Sequence, residues 1–328
     1  MEAVQATAFG GPSVLTVTEL PDLSPGPGQI TIDVTHAAVG LIDLFIRQGV
    51  YKDRPGMPQP SFIPGLEVTG TVRALGAGVA DFKVGEPVVA MSQTGTGGYA
   101  SVYVAAAPFV VSLAGHDIDP AIAVSMIPNA AMAFAALTEV AHLKQGESVL
   151  VHGALGGLSS AFPGMAKQLG ASRVIGTVRP SKLEAAGSTR LPYDRIVDST
   201  QLPDVFGDEK FDVVIDPVGG DVRTRSLELM GPGGRLIAAG NASGDWEHTI
   251  SDNRLWLGSI TIAGFNAGAF MPSHPHVLRP ALEAARAAVA AGLGETVVEA
   301  LGFSQAAEAH ERMENRSLAG RLVLTPGS

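Results

Sequence analysis

The sequence predicts an α/β protein with two domains, a barrel-like all-β domain and a domain built on a doubly wound parallel sheet. The chain has 328 residues, and at about 150 residues per domain this length allows two domains that each bury a core. Short alternating strand patterns fill the chain to about residue 120. Beyond that point short buried strands alternate with helices, which is typical of a parallel α/β sheet.

Composition narrows the classes of function. Hydrophobic residues make up 46% of the chain and charged residues 16%, as in folded globular proteins. The formal net charge of −10 argues against nucleic acid or an anionic membrane as a partner, because both are polyanions. The absence of cysteine excludes disulfides, thiolate catalysis and cysteine ligands to zinc.

The termini and the most apolar segment predict a cytoplasmic protein without a membrane span. The N-terminus lacks the basic and apolar regions of a secretory signal. Residues 121–137 are the most apolar stretch, but Ser125, Pro128 and Asn129 interrupt it. Its uninterrupted apolar length is below the roughly 20 residues that span a bilayer.

The strands and helices are predicted from hydrophobic periodicity and from the glycine and proline residues that separate the periodic segments. In the all-β region we predict strands at 15–19, 29–35, 69–75, 87–91 and 99–104. In the α/β region we predict strands at 148–152, 174–178, 213–216, 235–239 and 259–264. An Ala-rich helix at 280–291, a strand at 296–301, a helix after Ser304 and a strand at 321–325 complete the chain.

The strongest local motif is a glycine turn between a buried strand and a helix. It reads Gly153-Ala154-Leu155-Gly156-Gly157-Leu158-Ser159, with Ala154, Gly156 and Ser159 at the three places of the G-x-G-x-x-G dinucleotide fingerprint. Such a turn brings backbone N–H groups and a helix N-terminus close to a pyrophosphate. We therefore predict that Ala154, Gly156, Gly157 and Leu158 bind a dinucleotide; a tight turn without a ligand is the alternative.

The next strand indicates which dinucleotide. It ends in Arg179-Pro180-Ser181-Lys182, at about the distance where an NAD enzyme presents an acidic residue to the ribose. Arg179, Ser181 and Lys182 suit a 2′-phosphate instead, so NADPH is favoured over NADH. The alternative is that they are ordinary solvated residues at the start of a helix.

Two further loops follow buried strands and are expected to line the same crevice. They are residues 216–220, which include Val218, and residues 239–244, which include Asn241. Ligands in open α/β sheets bind outside the carboxyl ends of the strands, where both loops should lie. Their glycines can equally be simple loop formers.

Several segments together resemble a known family. They read LIDLFIRQGVY at 41–51, PGLEVTGTV at 64–72, VGEPVV at 84–89, GGYA at 97–100 and GRLVL at 320–324. The chain resembles the medium-chain dehydrogenase/reductase superfamily, and within it the zinc-independent quinone oxidoreductases. The resemblance implies a GroES-like catalytic domain from residues 1–120 and 265–328, a Rossmann domain from 121–264, and a cleft at their junction where the nicotinamide meets the substrate.

The resemblance also indicates which chemistry is available. Zinc alcohol dehydrogenases belong to the same superfamily, and the positions that match their catalytic ligands are here Gly40, Leu66 and about Asn129. None of these supplies a thiolate or an imidazole, so alcohol oxidation would lose its Lewis acid. Hydride delivery to a quinone or an α,β-unsaturated carbonyl remains favourable.

The remaining site residues are implied by the resemblance. Tyr51 would lie near the acceptor as a hydrogen-bond or proton donor; packing at the rim of the cleft is the alternative. Phe265 and Asn266 would hold the carboxamide through their main chain. The predicted acceptor pocket consists of Gly40, Phe45, Ala131, Phe270 and Met271. The strand before Phe265 would lie at a sheet edge and pair in a homodimer, and we expect Asp43 and Arg47 to form an ion pair or a helix-face contact.

The sequence therefore predicts an NADPH-dependent quinone or enone reductase. Gly40, Ala131 and Ser159 depart from the pattern of the quinone oxidoreductases, which suggests a changed substrate or a weakened reaction. Two alternatives stay open: a dedicated enoyl reductase of a secondary pathway such as polyketide synthesis, and a cofactor-binding protein with little or no turnover.

Overall fold

The computed structural model describes residues 1–294, 296–315, 318 and 320–327, and the chain forms two compact units. The first unit comprises Met1–Pro128, Leu278–Ala290 and Val297–Ser328, and the second comprises Asn129–Val277 and Ala291–Thr296. The expected domain boundaries differ from these units in three segments. Residues 121–128 lie in the first unit, and residues 265–277 and 291–296 lie in the second.

Most strands fall close to their predicted positions, whereas the strands at 110–112 and 195–198 were not predicted. The strands are β1 (Glu2–Ala6), β2 (Leu15–Glu19), β3 (Gln29–Val39), β4 (Glu67–Leu75), β5 (Pro87–Met91), β6 (Val102–Ala106), β7 (Val110–Ser112), β8 (Ser148–His152), β9 (Arg173–Val178), β10 (Arg195–Asp198), β11 (Phe211–Asp216), β12 (Met230–Ala238), β13 (Thr261–Gly264), β14 (Val298–Gly302) and β15 (Arg321–Thr325). The alternation of buried and exposed residues was thus sufficient to locate most of them.

The α-helices are generally short. They are α1 (Leu41–Arg47), α2 (Pro120–Ala135), α3 (Phe162–Gln168), α4 (Leu183–Gly187), α5 (Asp221–Ser226), α6 (Asp252–Gly258), α7 (Ala267–Ser273), α8 (Pro275–Ala290) and α9 (Ala306–Glu314). The predicted start of α8 at Pro280 is wrong. The helix begins at Pro275, since the first helical position also tolerates a missing N–H group.

The main sheet of the first unit joins both ends of the chain. Its order is β14-β15-β3-β4-β5-β7, with β6 also paired to β3. One edge of β3 pairs with β6 through residues 29–33 and with β15 through residues 37–39, while β4 pairs along the other edge. Ile30, Ile32 and Val34 of β3 are buried in the core of this unit.

The second unit is built on a parallel sheet of order β10-β9-β8-β11-β12-β13. Each neighbouring pair in this order is parallel, so the predicted α/β class and its parallel sheet are confirmed. The chain runs outward from β8 to β10 and then returns to β11 on the other side of β8. This reversal creates a switch point between the carboxyl ends of β8 and β11, where ligands of such sheets bind.

Among the residues that the structure describes, one helical stretch is long and apolar enough to cross a membrane. It covers Pro120–Val140, with a mean hydropathy of 1.6, and 72% of the apolar window is buried inside the protein. Helices in the core of soluble proteins share these properties, so this stretch does not indicate a membrane protein.

Candidate functional site

The glycine turn lies at the switch point, directly after β8. Gly153 adopts a φ of +63°, which glycine tolerates without strain, and the Gly156 N–H donates to the Gly153 carbonyl over 2.7 Å. A 3₁₀ turn at Ser159–Ala161 then leads into α3. Within the described part of the chain, the N–H groups of Gly157 and Leu158 meet no hydrogen-bond acceptor. These open donors at the start of a helical segment are suited to a phosphate.

Ser159 takes the third fingerprint place without disturbing the turn. Its side chain is buried, with 2% exposure, and its hydroxyl donates to the His152 carbonyl over 2.8 Å. The hydroxyl is therefore satisfied where it is buried, which removes the main cost of a polar group at this place. The departure from glycine is accommodated by the local structure.

Two cations follow the end of β9. Arg179 comes directly after the strand, and Ser181 and Lys182 lie in a 3₁₀ turn at Pro180–Lys182. The pKa of Lys182 is lowered, first by partial burial and then by the positive charge of Arg179. Two like charges this close favour an anion between or beside them, and Ser181 is exposed next to them.

The loops after β11 and β12 are tied together by an ion pair that the sequence analysis did not identify. The fully buried carboxylate of Asp216 pairs with Arg223 Nε at 2.5 Å and accepts the N–H groups of Val218 and Gly219, both at 2.9 Å. Arg223 Nη2 also donates to the Gly240 carbonyl over 2.9 Å. The aspartate at the end of a buried strand was the available signal.

Glycine is required where these two loops meet. Gly219 has a φ of +77°, and a Cβ there would overlap Oδ1 of Asn241. Val218 and Asn241, both predicted to contact the cofactor, thus lie on adjoining loops at the carboxyl ends of neighbouring strands.

The segment after β13 is largely occupied by its own packing. Phe265 and Met271 are buried, with 3% and 2% exposure, and Phe265 contacts Phe270 with ring centroids 5.4 Å apart. Phe270 stacks in turn on His274 at 3.9 Å. The Asn266 side chain caps α7 by accepting the Ala269 N–H at 3.3 Å, and its carbonyl accepts the Phe270 N–H at 2.8 Å. Its main-chain N–H is therefore the group that is suited to a carboxamide oxygen.

In the first unit, Tyr51 lies near Phe45 and Arg54. The rings of Phe45 and Tyr51 are perpendicular with centroids 6.2 Å apart, and the Arg54 guanidinium lies 4.9 Å from the Tyr51 ring centroid. Partial burial raises the pKa of Tyr51, and Arg54 opposes this shift only in part. The phenol is therefore a protonated donor at neutral pH.

Asp43 organises the backbone around Gly40, and it does not pair with Arg47 as predicted. Its buried carboxylate accepts the N–H groups of Gly40 at 2.8 Å and Gly65 at 3.1 Å, and Tyr99 donates to it over 3.3 Å. Burial outweighs these bonds and raises the pKa of Asp43 to about 6. Arg47 bonds instead to Glu314.

The residues at the superfamily's catalytic zinc positions do not fit zinc. Gly40 and Leu66 carry no donor atom in their side chains, and Asn129 offers only an amide. Over residues 1–294, 296–315, 318 and 320–327, no three His, Cys, Asp or Glu side chains are grouped to hold a metal ion. Ala131 is buried and apolar, so it adds no ligand.

Comparison with known proteins agrees with this architecture. Residues 26–115 match the family described as "Alcohol dehydrogenase GroES-like domain", and residues 191–324 match the one described as "Zinc-binding dehydrogenase". The crystal structure of Escherichia coli quinone oxidoreductase complexed with NADPH aligns with a TM-score of 0.86 at 26% identity, covering 99% of this chain and 100% of that one. The predicted GroES-like and Rossmann architecture is confirmed.

Two curated relatives show how far the sequence similarity extends. The quinone oxidoreductase of Lama guanicoe is 32% identical over 248 residues, which cover 74% of this chain and 73% of that protein. The synaptic vesicle membrane protein VAT-1 homolog of Danio rerio is 28% identical over 317 residues, covering 91% of this chain. The chain spans only 64% of the length of the latter protein.

Proposed function

This chain belongs to the quinone oxidoreductase branch of the medium-chain dehydrogenase/reductase superfamily, and we propose that it is an NADPH-dependent reductase of quinones or α,β-unsaturated carbonyls. The observation that carries the proposal is an open glycine turn at the switch point beside two cations after β9. When bound, NADPH supplies the hydride. The residues described below would hold it and assist the acceptor.

The cofactor proposal assigns a task to each group of residues. The open N–H groups of Gly157 and Leu158, with Ala154 and Gly156 shaping the turn, would bind the diphosphate. Arg179, Ser181 and Lys182 would bind the 2′-phosphate, since two cations and a hydroxyl match its charge and acceptors. A further set would line the remaining length of the cofactor: Val218, Asn241, Phe265 and Asn266.

The proposed class of hydride acceptor follows from the missing zinc ligands and from the hydroxyl of Tyr51. Because Gly40, Leu66 and Asn129 supply no zinc ligand, these positions would not hold the Lewis acid that stabilises an alkoxide in zinc alcohol dehydrogenases. A quinone or an enone places the incoming negative charge on a conjugated carbonyl oxygen, which one hydrogen-bond donor can stabilise. Tyr51 would supply that bond or the proton. The proposed pocket residues are Gly40, Phe45, Ala131, Phe270 and Met271.

A cofactor-binding protein without turnover is the second candidate, because Gly40, Ala131 and Ser159 depart from the pattern of the branch. Ser159 weakens this candidate, since its hydroxyl is satisfied within the turn. A dedicated enoyl reductase differs from a broad quinone reductase only in its acceptor range, so acceptor screening separates the two.

We further propose a cytoplasmic homodimer that pairs through β13. This four-residue strand lies at the edge of the second unit's sheet, and edge strands commonly need a partner. Trp256 and Leu257 on the preceding α6 are 76% and 75% exposed. Replacing both by Glu should convert a dimer into a monomer, as measured by analytical ultracentrifugation; a monomeric unsubstituted protein would contradict the proposal.

The decisive experiment titrates the purified protein with NADPH and NADH by fluorescence and then adds 1,4-benzoquinone or a simple enone. The proposal expects NADPH to bind more tightly than NADH and to be oxidised on addition of an acceptor. Binding without oxidation by any acceptor in a broad panel would favour the protein without turnover. Failure to bind either dinucleotide would refute the cofactor proposal.

A further inference from the structure

One half-buried tyrosine contacts both ends of the glycine turn from outside the fingerprint. Tyr193 lies between α4 and β10, and its single hydroxyl hydrogen is shared between the carbonyl of Ser159, at 2.9 Å, and that of Ala154, at 3.2 Å. Burial raises the pKa of Tyr193 well above its usual value of 10. The phenol is therefore a permanent donor to the turn.

The segment that carries Tyr193 is anchored to the sheet and to the helix after the turn. The neighbouring Asp194 accepts the Val174 N–H of β9 at 2.7 Å and pairs with Lys167 of α3 at 2.7 Å. These two bonds attach the loop to β9, which neighbours β8 in the sheet, and to α3, the helix that follows the turn. The Tyr193 hydroxyl is thus held in place independently of its own contacts.

A glycine inside β9 provides the space for this arrangement. A Cβ at Gly176 would lie 2.7 Å from the Ala154 Cβ, closer than side chains pack, and would make a tight contact of 3.2 Å with Cδ1 of Tyr193. Glycine in a strand interior normally weakens the strand. Here it permits the close approach of Ala154 and the tyrosine ring.

The hydroxyl also determines which way the turn presents its donors. In a trans peptide the C=O and N–H groups point in opposite directions. Because the Ala154 carbonyl points to Tyr193, the Leu155 N–H points away from it. Among the residues that the structure describes, Leu155, like Gly157 and Leu158, has an N–H group with no acceptor.

We propose that Tyr193 is a positioning residue of the dinucleotide site: its hydroxyl holds the peptide groups at both ends of the glycine turn so that the open N–H groups face the diphosphate. The inference rests on the proposed NADPH function. At the third fingerprint place, the Ser159 hydroxyl donates to His152 and its carbonyl accepts from Tyr193.

The test compares Tyr193→Phe with a matched control, Tyr103→Phe. Tyr103 is a buried tyrosine of β6 in the first unit whose hydroxyl bonds to Ser92. Dissociation constants are measured for NADPH and for adenosine 2′-monophosphate, which carries the 2′-phosphate but no diphosphate. Tyr193→Phe should raise the Kd for NADPH about five-fold, as expected for one lost hydrogen bond, and raise its KM without lowering kcat. The Kd for adenosine 2′-monophosphate should stay constant, and Tyr103→Phe should change neither.

Hydrogen exchange gives an independent readout in the absence of any ligand. The amides of residues 153–160 should exchange faster in Tyr193→Phe and at the unsubstituted rate in Tyr103→Phe. If the Phe variant fails to fold, Asp194→Asn, which weakens the attachment of the Tyr193 segment to β9 and α3 without contacting the turn, should produce the same selective loss of NADPH binding.

The outcomes separate this inference from the proposed function. An unchanged Kd for NADPH in Tyr193→Phe, or equal weakening of NADPH and adenosine 2′-monophosphate, would overturn the role of Tyr193 and leave the reductase proposal intact. Absence of NADPH binding to the unsubstituted protein would overturn the proposed function and the inference together.

Discussion

Tyr51 is the one side chain whose removal tests the proposed proton transfer directly. It keeps its ring contacts with Phe45 and Arg54 when the hydroxyl is deleted. Tyr51→Phe should therefore lower kcat by about 10²-fold, the contribution of one general acid, with the Kd for NADPH unchanged. Steady-state kinetics with 1,4-benzoquinone, together with NADPH titration, measures both quantities. A variant with unchanged kcat would assign Tyr51 to the pocket wall.

Substitution of the two cations after β9 tests the preference for NADPH over NADH. Arg179→Ala and Lys182→Ala should each raise the Kd for NADPH by about ten-fold or more, because each removes a charge-assisted contact to the 2′-phosphate. The Kd for NADH, which lacks that phosphate, should change little. Lys144→Ala removes an exposed cation elsewhere in the second unit and serves as the control. Equal weakening of both cofactors would contradict the assignment.

Individual residues also show which side-chain contacts the sequence does not predict. The spacing of Asp43 and Arg47 by four positions predicts a helix-face pair, but each residue finds a partner far away in the chain. Asp43 bonds to Gly65 and Tyr99, and Arg47 bonds to Glu314. Tyr193 is the same case, since no local pattern indicates that it meets the glycine turn. Such contacts depend on tertiary packing that a linear pattern does not contain.

At the scale of elements, periodicity predicted which segments form strands more accurately than the residues at which those strands begin and end. β8 is buried at every position and was predicted at its observed bounds because a glycine turn follows it. β12 begins at Met230, five residues before the predicted start, because the run Gly231-Pro232-Gly233-Gly234 reads as a turn. Glycine and proline mark where the backbone departs from regular geometry, and a sheet can absorb that departure through an irregular register.

The contacts of Arg223 connect the loops after β11 and β12, and a double-mutant cycle of Asp216 and Arg223 tests how strongly this pair stabilises the protein. Arg223→Met leaves the buried Asp216 carboxylate with two backbone donors and no counter-charge, which should destabilise the protein by about 2–4 kcal/mol. Asp216→Asn with Arg223→Met should cost less than the two single changes summed, because no unpaired charge remains. Urea unfolding of the four proteins measures this coupling. Additive losses would show that Asp216 and Arg223 do not stabilise each other.

At the scale of the whole molecule, the chain buries titratable groups with opposite effects on its pH dependence. Burial raises the pKa of Asp43 to about 6 and that of Glu67 to about 7, so their contribution to stability is present at low pH and lost as pH rises through these values. Burial lowers the pKa of His152 to about 4 and that of His310 to about 3. The histidines stabilise the fold above pH 6.5, and this contribution is lost as pH falls.

A substitution of His152 allows its contribution to the pH dependence of stability to be measured separately from that of the other buried groups. Its ring nitrogens contact Thr177 at 2.9 Å and Ser226 at 2.7 Å, and it stays neutral in the fold while the unfolded chain takes up a proton below pH 6.5. Between pH 7.5 and 5.0 this difference removes about 2 kcal/mol of stability. His152→Asn removes this loss of stability, while Asp43, Glu67 and His310 still contribute to the pH dependence.

The prediction concerns the change in unfolding free energy between the two pH values. His152→Asn should be less stable than the unsubstituted protein at pH 7.5, because two buried hydrogen bonds are altered, yet it should lose about 2 kcal/mol less on acidification to pH 5.0. Urea unfolding at both pH values measures the difference, with the exposed His116→Asn as the control that keeps the original pH dependence. Equal acid sensitivity in His152→Asn would mean that His152 is protonated in the folded state, and the buried contacts with Thr177 and Ser226 would then have to be reassigned to an imidazolium that donates from both nitrogens.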